Sequence, residues 1–568
     1  MTWRLNALLP PNIQSTFLKE FSNMSEQTTI FLEPATSEHL TISALEQWLW
    51  DAACVIRGAT DAPKFKDFIL PLVFFKRLSD VFDDEFAAQV EEFGDEAVAR
   101  EVIEEDHAAA LQDGHAPIVR FYVPENCSWR AVRNHPTNTT LGEFITDCLR
   151  KIATLNPELH GVLDVKDFNE RQAGQRTLDD ERMAALIEVI SRHRLGLTNT
   201  RPDVLGQAYE YLLRKFAEGQ GQSAGEFYTP FEVGMLMGEL LAPGPYMTVG
   251  DPTCGSGGLL IKARLAFERN YPNQKTQAPR LYGQELNPVT YAMARMNMIL
   301  HDFAAEFAIG DTFRNPGFGA AGAGLMQFDR VAANPMWNQK NYADAFFEND
   351  AWGRFTYGVP PSASADWGWV QHILATLKEG GRAAVVLDTG AVSRGSGSTG
   401  NNRERDIRRA VLEADLVEGV VLLPENLFYN TTAPGVILLL QKGKPDDRKG
   451  KMLLMNASLH YRKERPKNVL TQAAIQTIAE VFRNWETREK VSRVVTIEEV
   501  RATDYNISPS QFVEVGERLT HRPLSEILAD MEVARAEREE ADARLAAVLA
   551  RLGLLAEAKP AEATGGAA

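Results

Sequence analysis

The chain has 568 residues, 44% of them hydrophobic, and a formal net charge of -17. That length and apolar content suit several domains with sizeable cores and exclude a chain disordered throughout. The acidic balance argues against a protein that grips DNA phosphates unaided, because such contacts need clustered Lys and Arg. Two readings stay open. Either a partner supplies the nucleic-acid contact, or the acidity lies on other faces and a basic stretch such as residues 403–409 meets the DNA. No apolar run reaches the roughly 18 residues of a membrane-crossing helix, and the start of the chain is too polar for a leader, so the expectation is a cytoplasmic protein with no membrane partner. Cys54, Cys127, Cys148 and Cys254 lack paired spacing, which predicts neither disulfides nor a metal site.

In chain order, residues 1–40 read as a loose extension. Residues 41–195 read as a helical domain: Trp48, Leu49, Ala52, Ala53 and Ile56 recur at helical spacing, and further amphipathic stretches lie at 141–155 and 183–190. An acidic passage near 88–116 reads as loop-prone within it. From 196 to 515 short apolar runs alternate with helical ones, which predicts an α/β domain of Rossmann-like type with a mainly parallel sheet. Expected strands are 247–249, 280–283, 328–332, 382–387, 416–423 and 436–441, with helices at 233–241, 259–270, 288–300 and 369–377. The Gly-Ser-rich stretch 395–400 has no Gly-Lys-Ser/Thr after it, so it reads as a mobile surface loop and not a phosphate loop. Residues 516–568 read as a carboxyl-terminal helix and a disordered tail. Leu524, Ile527, Met531, Ala534, Arg538, Ala541, Leu545, Val548 and Leu552 make a stripe that fits either a coiled coil or a helix docked on its own domain.

The chemistry begins at Asp251-Pro-Thr-Cys-Gly-Ser-Gly-Gly258, where Asp251 closes a strand and Gly255, Ser256, Gly257 and Gly258 turn the backbone sharply into a helix start. Leu260 stands where a dinucleotide fingerprint needs a further glycine, so a plain dinucleotide reading is weak. Glu285 follows the next strand, where an acid can accept both ribose hydroxyls of a nucleoside. Asp311, in Ile309-Gly-Asp-Thr312, is either a contact to the adenine of that ligand or a turn residue. Upstream, Glu226, Phe227, Tyr228, Thr229, Pro230 and Phe231 lead into a helix and offer an aromatic wall, a hydroxyl and backbone N–H groups to an amino-acid moiety. Thr229 as helix cap with Pro230 at the first helical position is equally compatible.

Asn334-Pro335-Met336-Trp337 follows a strand and so belongs to the same sheet edge. The exocyclic amine of adenine is a poor nucleophile because its lone pair is delocalised into the ring. The Asn334 side-chain oxygen and the Pro335 carbonyl would accept its hydrogens and favour the geometry in which the lone pair attacks. Trp337 would stack on a base swung out of the duplex.

Together these segments resemble the modification subunits of type I restriction-modification systems, within the gamma-type amino methyltransferases that act on adenine in DNA. Residues 225–230, 251–258, 284–288 and the strand leading to Asn334 occur in that family's order. The segments 49–57, 66–72, 75–79 and 422–428 are similar too, and the likeness spans most of residues 45–555. The resemblance implies S-adenosylmethionine as cofactor, held by residues 226–231, 256–258 and Glu285. It implies double-stranded DNA with the target adenine flipped out, a specificity subunit, two copies of this chain per complex and a separate restriction subunit. The family's signature is Asn-Pro-Pro followed by Phe or Tyr; here Met336 replaces the second proline and Trp337 the aromatic. Met336 is not locked in φ, so the turn loses a constraint. Two alternatives follow: a cofactor-binding scaffold with impaired catalysis, or an amino methyltransferase acting on cytosine, RNA or a protein glutamine.

Overall fold

The computed structural model describes residues 42–59, 64–136, 140–172, 175–198, 200, 211, 229–320, 324–340, 342–429, 431–465, 467–515 and 524–552. The chain divides into two compact units, Met1–Glu514 and Val515–Ala568. Among the described residues no helix is long and apolar enough to cross a membrane.

The first unit opens with α1 (Ile42–Val55), α2 (Phe65–Phe93), α3 (Glu96–Asp113), α4 (Leu141–Leu155) and α5 (Asp180–Ile190). Leu45, Leu49, Phe68, Phe75, Ile145, Leu149 and Ile190 share one buried core, and the Trp48 indole donates to Val189 O at 2.7 Å. The acidic passage near 88–116 is helical rather than loop. Gly94 takes a left-handed φ of 73° and ends α2, Asp95 accepts from Ala97 N and Val98 N to start α3, and Gly114 ends it at φ 73°. Acidic composition had suggested solvation, but a capping aspartate between two helix-terminating glycines punctuates two helices.

The sheet has nine strands: β1 (Thr248–Asp251), β2 (Arg280–Glu285), β3 (Ala305–Ile309), β4 (Phe328–Ala333), β5 (Leu377–Asp388), β6 (Val417–Leu422), β7 (Gly435–Gln441), β8 (Lys451–Asn456) and β9 (Ser492–Thr496). Their order is β9-β8-β6-β7-β5-β4-β1-β2-β3. Strands β1 to β5 are mutually parallel where they pair, and β7 runs antiparallel between β5 and β6. The expected strands and the mainly parallel pairing are present; β3, β8 and β9 extend the sheet beyond them. The β3 sequence Ala-Glu-Phe-Ala-Ile is a half-exposed edge without a clear apolar run, which explains why pattern alone passes over it.

Helices cover both faces: α6 (Phe231–Leu241), α7 (Gly258–Asn270), α8 (Pro288–His301), α9 (Asp366–Ala375), α10 (Arg403–Glu413) and α11 (Gln472–Asn484). Val249 and Leu281 pack with Leu260, Ala294 and Met298 on one face, while Tyr282, Phe328 and Val331 pack with Trp367 and Val370 on the other. Ala292, Met293 and Met296 of α8 join the core of the helical region. The expected helix at 369–377 ends earlier, at Ala375, because Leu377 already belongs to β5.

Of the basic residues in 403–409, Arg403 and Arg409 are exposed, whereas Arg405 and Arg408 are drawn into the structure. Helix periodicity turns Arg408 inward, fully buried, where it donates to Tyr505 O and Ser396 Oγ, both at 2.7 Å. Arg405 donates to Ser398 O at 2.9 Å and Arg403 pairs with Asp344 at 2.6 Å. The 395–400 stretch is correspondingly pinned by Arg405 and by Gly397 N donating to Asp504 at 2.9 Å. The second unit carries α12 (Leu524–Arg551), on which Met531, Leu545 and Val548 are exposed.

Candidate active site at the carboxyl edge of the sheet

β1 ends at Asp251 and the chain turns through Gly257 into α7. Cys254 N donates to Gln284 O at 2.9 Å, tying this turn to β2, and Gly257 N donates to Cys254 O at 2.8 Å. Gly257 sits at φ 79°, so the backbone favours glycine, and a Cβ there would lie 2.8 Å from the flexible end of Met298. Above Gly255 (φ 54°) and Gly258 a Cβ would meet no atom within 4 Å, which leaves open space over the turn. Asn297 Nδ2 holds Ser256 O at 2.8 Å.

Glu285 stands at the end of β2, where its carboxylate accepts from Gly255 N at 3.0 Å and Asn287 N at 2.8 Å. The same residue thus reads the glycine turn and the start of α8. In the β2–β3 register Glu285 lies beside Ile309, and Ile309 and Leu286 expose 49% and 65% of their surface, an apolar rim around a carboxylate. Asp311 is engaged by the chain itself: Phe313 N donates to it at 2.9 Å, the Tyr342 hydroxyl at 3.2 Å, and Arg314 lies 3.4 Å away. Burial, then the Asp311 charge, pushes the Tyr342 phenol up.

Asp251 is 2% exposed. One of its oxygens accepts from Thr253 N at 3.0 Å and the other, Oδ2, is buried without a hydrogen-bond partner among the described residues. Burial, with the charge of Glu285 adding to it, raises its pKa to about 8. Burial also pushes the neighbouring Cys254 thiol well up, as expected for a residue that fills the turn and takes no part in chemistry.

The pairing of β1 with β4 places Asn334, just past the end of β4, at the same edge. Asn334 is 7% exposed; its Nδ2 donates to Thr229 Oγ1 at 2.8 Å, and the Trp337 indole donates to its Oδ1 at 3.3 Å. Trp337 meets Phe428 edge to face, with centroids 4.9 Å apart, and a Cβ on Gly435 would collide with Phe428 at 2.8 Å. Thr229 is not the helix cap that its position suggests. Pro230 occupies the cap position without a side-chain bond, α6 starts at Phe231, and the threonine hydroxyl serves Asn334 instead.

The structure therefore brings together Thr229, Pro230, Phe231, Asp251, Gly255, Ser256, Gly257, Gly258, Glu285, Asn334, Pro335 and Trp337 around one sheet edge. Glu226, Phe227 and Tyr228 lie outside the described residues. Sequence reasoning missed the Thr229 to Asn334 bond and Phe428 as the wall behind Trp337. No local pattern signals either, because their partners lie 105 residues apart in one case and in the turn after β4 and the loop after β6 in the other.

Comparison with known proteins bears on this geometry. A family model described as N-6 DNA Methylase matches residues 200–520, and one described as HsdM N-terminal domain matches residues 45–190. The chain is 33% identical over 528 residues to the type I restriction enzyme MjaVIII methylase subunit of Methanocaldococcus jannaschii, covering 90% of this chain and 84% of that one. It is 37% identical over 382 residues to the MjaVII methylase subunit of the same organism, covering 65% of this chain and 63% of that one. The crystal structure of a type I restriction-modification methyltransferase subunit from Streptococcus thermophilus superposes with a TM-score of 0.68 at 28% identity, covering 84% of this chain and 100% of that one.

Proposed function

The chain belongs to the N-6 DNA methylase family, among the methylase subunits of type I restriction enzymes, and from that premise we propose how its residues divide the work. The reaction is transfer of a methyl group from S-adenosylmethionine to the N6 amine of adenine in DNA. The observation that carries the assignment of roles is Asn334. Its amide is oriented by Thr229 and Trp337 at the sheet edge where the glycine turn and Glu285 also end.

The residues of the turn fit the cofactor. The buried Asp251 Oδ2, which has no partner among the described residues, suits a cationic ammonium, the space over Gly255 and Gly258 admits a bulky group against backbone, and Glu285 between Leu286 and Ile309 offers acceptors for ribose hydroxyls beside apolar surface for a purine. Thr229, Pro230 and Phe231 line the entry to α6, with Glu226, Phe227 and Tyr228 preceding them in sequence. Asp311 acts from behind, holding the turn after β3 through Phe313 N and Tyr342. When bound, the cofactor supplies an electrophilic methyl on sulfur, so no general base has to act before transfer.

Asn334 Oδ1 and the Pro335 carbonyl accept the two N6 hydrogens of the target adenine and favour the geometry in which its lone pair can attack; Trp337, braced by Phe428, stacks on the flipped base. With the amine held in this way its lone pair would be free to take the methyl from the sulfonium, which would leave as the neutral thioether, and one N6 proton would pass to solvent. The net charge of -17 favours a specificity subunit as the source of most of the duplex contact; two copies of this chain and a separate restriction subunit complete the complex on the likeness to type I methylase subunits.

The test is to assemble the chain with its specificity subunit and supply DNA with methyl-labelled cofactor. Labelled N6-methyladenine is expected. Asn334→Ala should lower kcat by about 10³-fold and leave cofactor affinity unchanged. Bound cofactor without methyl transfer by the native complex would favour the scaffold reading, and label in cytosine, RNA or protein would change the substrate.

A further inference from the structure

The residue that follows Trp337 is held more tightly than its exposed position suggests. Asn338 adopts a left-handed φ of 54°, which asparagine tolerates better than most residues. Its backbone N–H donates to Asp366 Oδ1 at 2.8 Å, its Nδ2 to Asp388 Oδ2 at 3.3 Å, and its Oδ1 accepts from Arg394 Nη1 at 2.9 Å. Arg394 in turn reaches Asp388 at 2.8 Å, Asp366 at 2.5 Å and Glu404 at 2.6 Å. Those carboxylates come from three places, the start of α9, the end of β5 and the start of α10. The Asp366 and Glu404 side chains are 0% and 7% exposed.

The turn is therefore gripped at both ends, Asn334 by Thr229 and Asn338 by the Arg394 cluster. Between them only Pro335 is locked in φ, because Met336 stands where the family signature has a second proline. The Met336 N–H donates no hydrogen bond among the described residues, so a proline ring there would cost the turn no bond.

We propose that Asn338 and Arg394 are positioning residues of the base-holding turn, supplying by side-chain bonds the stiffness that the missing second proline would supply by its ring. This deepens the methyl-transfer reading and rests on it. Arg394 bridges three carboxylates and an amide, a task that suits the planar fork of a guanidinium and not a lysine. Loosening the turn leaves Asn334 and Trp337 in place chemically but spreads their orientation, which lowers the rate without touching the cofactor side.

The experiment is a double-mutant cycle in the assembled complex. Asn338→Gly keeps the left-handed backbone and removes the side-chain grip, so it should fold. It should lower kcat by about 30-fold with cofactor Kd within about twofold, since small misplacements near reacting atoms cost up to about 100-fold. In the Met336→Pro background the same change should cost no more than about threefold, because the ring already restrains the turn. Arg394→Lys, which keeps a charge beside Asp366, should give the same split between kcat and Kd at about fivefold. Hydrogen exchange over residues 334–340 reads the grip without catalysis and should speed up in Asn338→Gly. Equal losses in the two backgrounds, or unchanged exchange, would overturn the proposal. A native complex that transfers no methyl while Asn338→Gly still loosens the turn would overturn the methyl-transfer reading alone.

Discussion

The turn at Asp251 to Gly258 is shaped by its own backbone, whereas the turn at Asn334 to Asn338 is shaped by side chains that arrive from distant parts of the chain. The first rests mostly on left-handed residues at 255 and 257, a bond from Cys254 N to β2 and the start of α7, within a few residues or one neighbouring strand, with single side-chain bonds added by Glu285 and Asn297. The second needs Thr229 before α6, Phe428 after β6, Asp366 on α9, Asp388 at the end of β5 and Arg394 beyond it. A locally encoded turn fails all at once when one glycine is lost. A turn held by many long-range bonds should fail by degrees, and substitutions can separate the two behaviours.

The largest effect is expected at Gly257. Gly257→Asp forces a side chain into a left-handed backbone at φ 79°, against Met298 Cε, and adds a charge near Glu285 and Asp251. Strain of this kind costs up to about 3 kcal/mol, so cofactor affinity measured calorimetrically should fall by up to about 100-fold. Near-native affinity in that variant would mean that the turn is not shaped by its backbone, and the comparison would collapse.

The same contrast decides what could be read from the sequence. The glycine turn, Glu285 and the strand before Asn334 were legible because each is a short pattern: apolar run, glycine cluster or acid after a strand, helical spacing. The central strands and helices were legible for the same reason. Strands β3, β8 and β9, the two helices within the acidic passage at 88–116, and the inward turn of Arg408 were not, because each depends on where a partner lies in space. The proline missing at Met336 was visible in the sequence; the cluster around Asn338 was not, since its members span positions 338 to 404.

An intermediate effect comes from Asp251 and depends on pH. Burial and Glu285 raise its pKa to about 8, so in the free chain it is mostly protonated at neutral pH. Two opposite trends follow. The folding stability that this raised pKa contributes is complete below the ordinary aspartate value and is lost as pH rises through about 8, because the unfolded chain ionises more readily. Affinity for a cationic ligand runs the other way, since the ligand selects the ionised form: it should rise about tenfold per pH unit between 6 and 8 and then level off. Asp251→Asn should abolish that slope. A native affinity that is flat over this range would show that no cation meets Asp251 in the complex.

The smallest effect is expected where the two turns touch. Thr229 stands at the entry to α6, on the cofactor side, yet its hydroxyl accepts from Asn334 Nδ2 at 2.8 Å. Thr229→Val keeps shape and volume and removes that acceptor. The Asn334 amide is 7% exposed, so its Nδ2 loses a partner that water cannot readily replace, an imbalance of about 1 to 3 kcal/mol. Part of that is recovered, because the Trp337 indole still orients Oδ1. The net loss in kcat should therefore be about fivefold, with cofactor affinity hardly changed. A loss confined to cofactor affinity would place Thr229 functionally with the glycine turn. A loss as large as that of Asn334→Ala would make the base-holding turn as brittle as the glycine one, because a structure held by several independent bonds should survive the removal of any one of them.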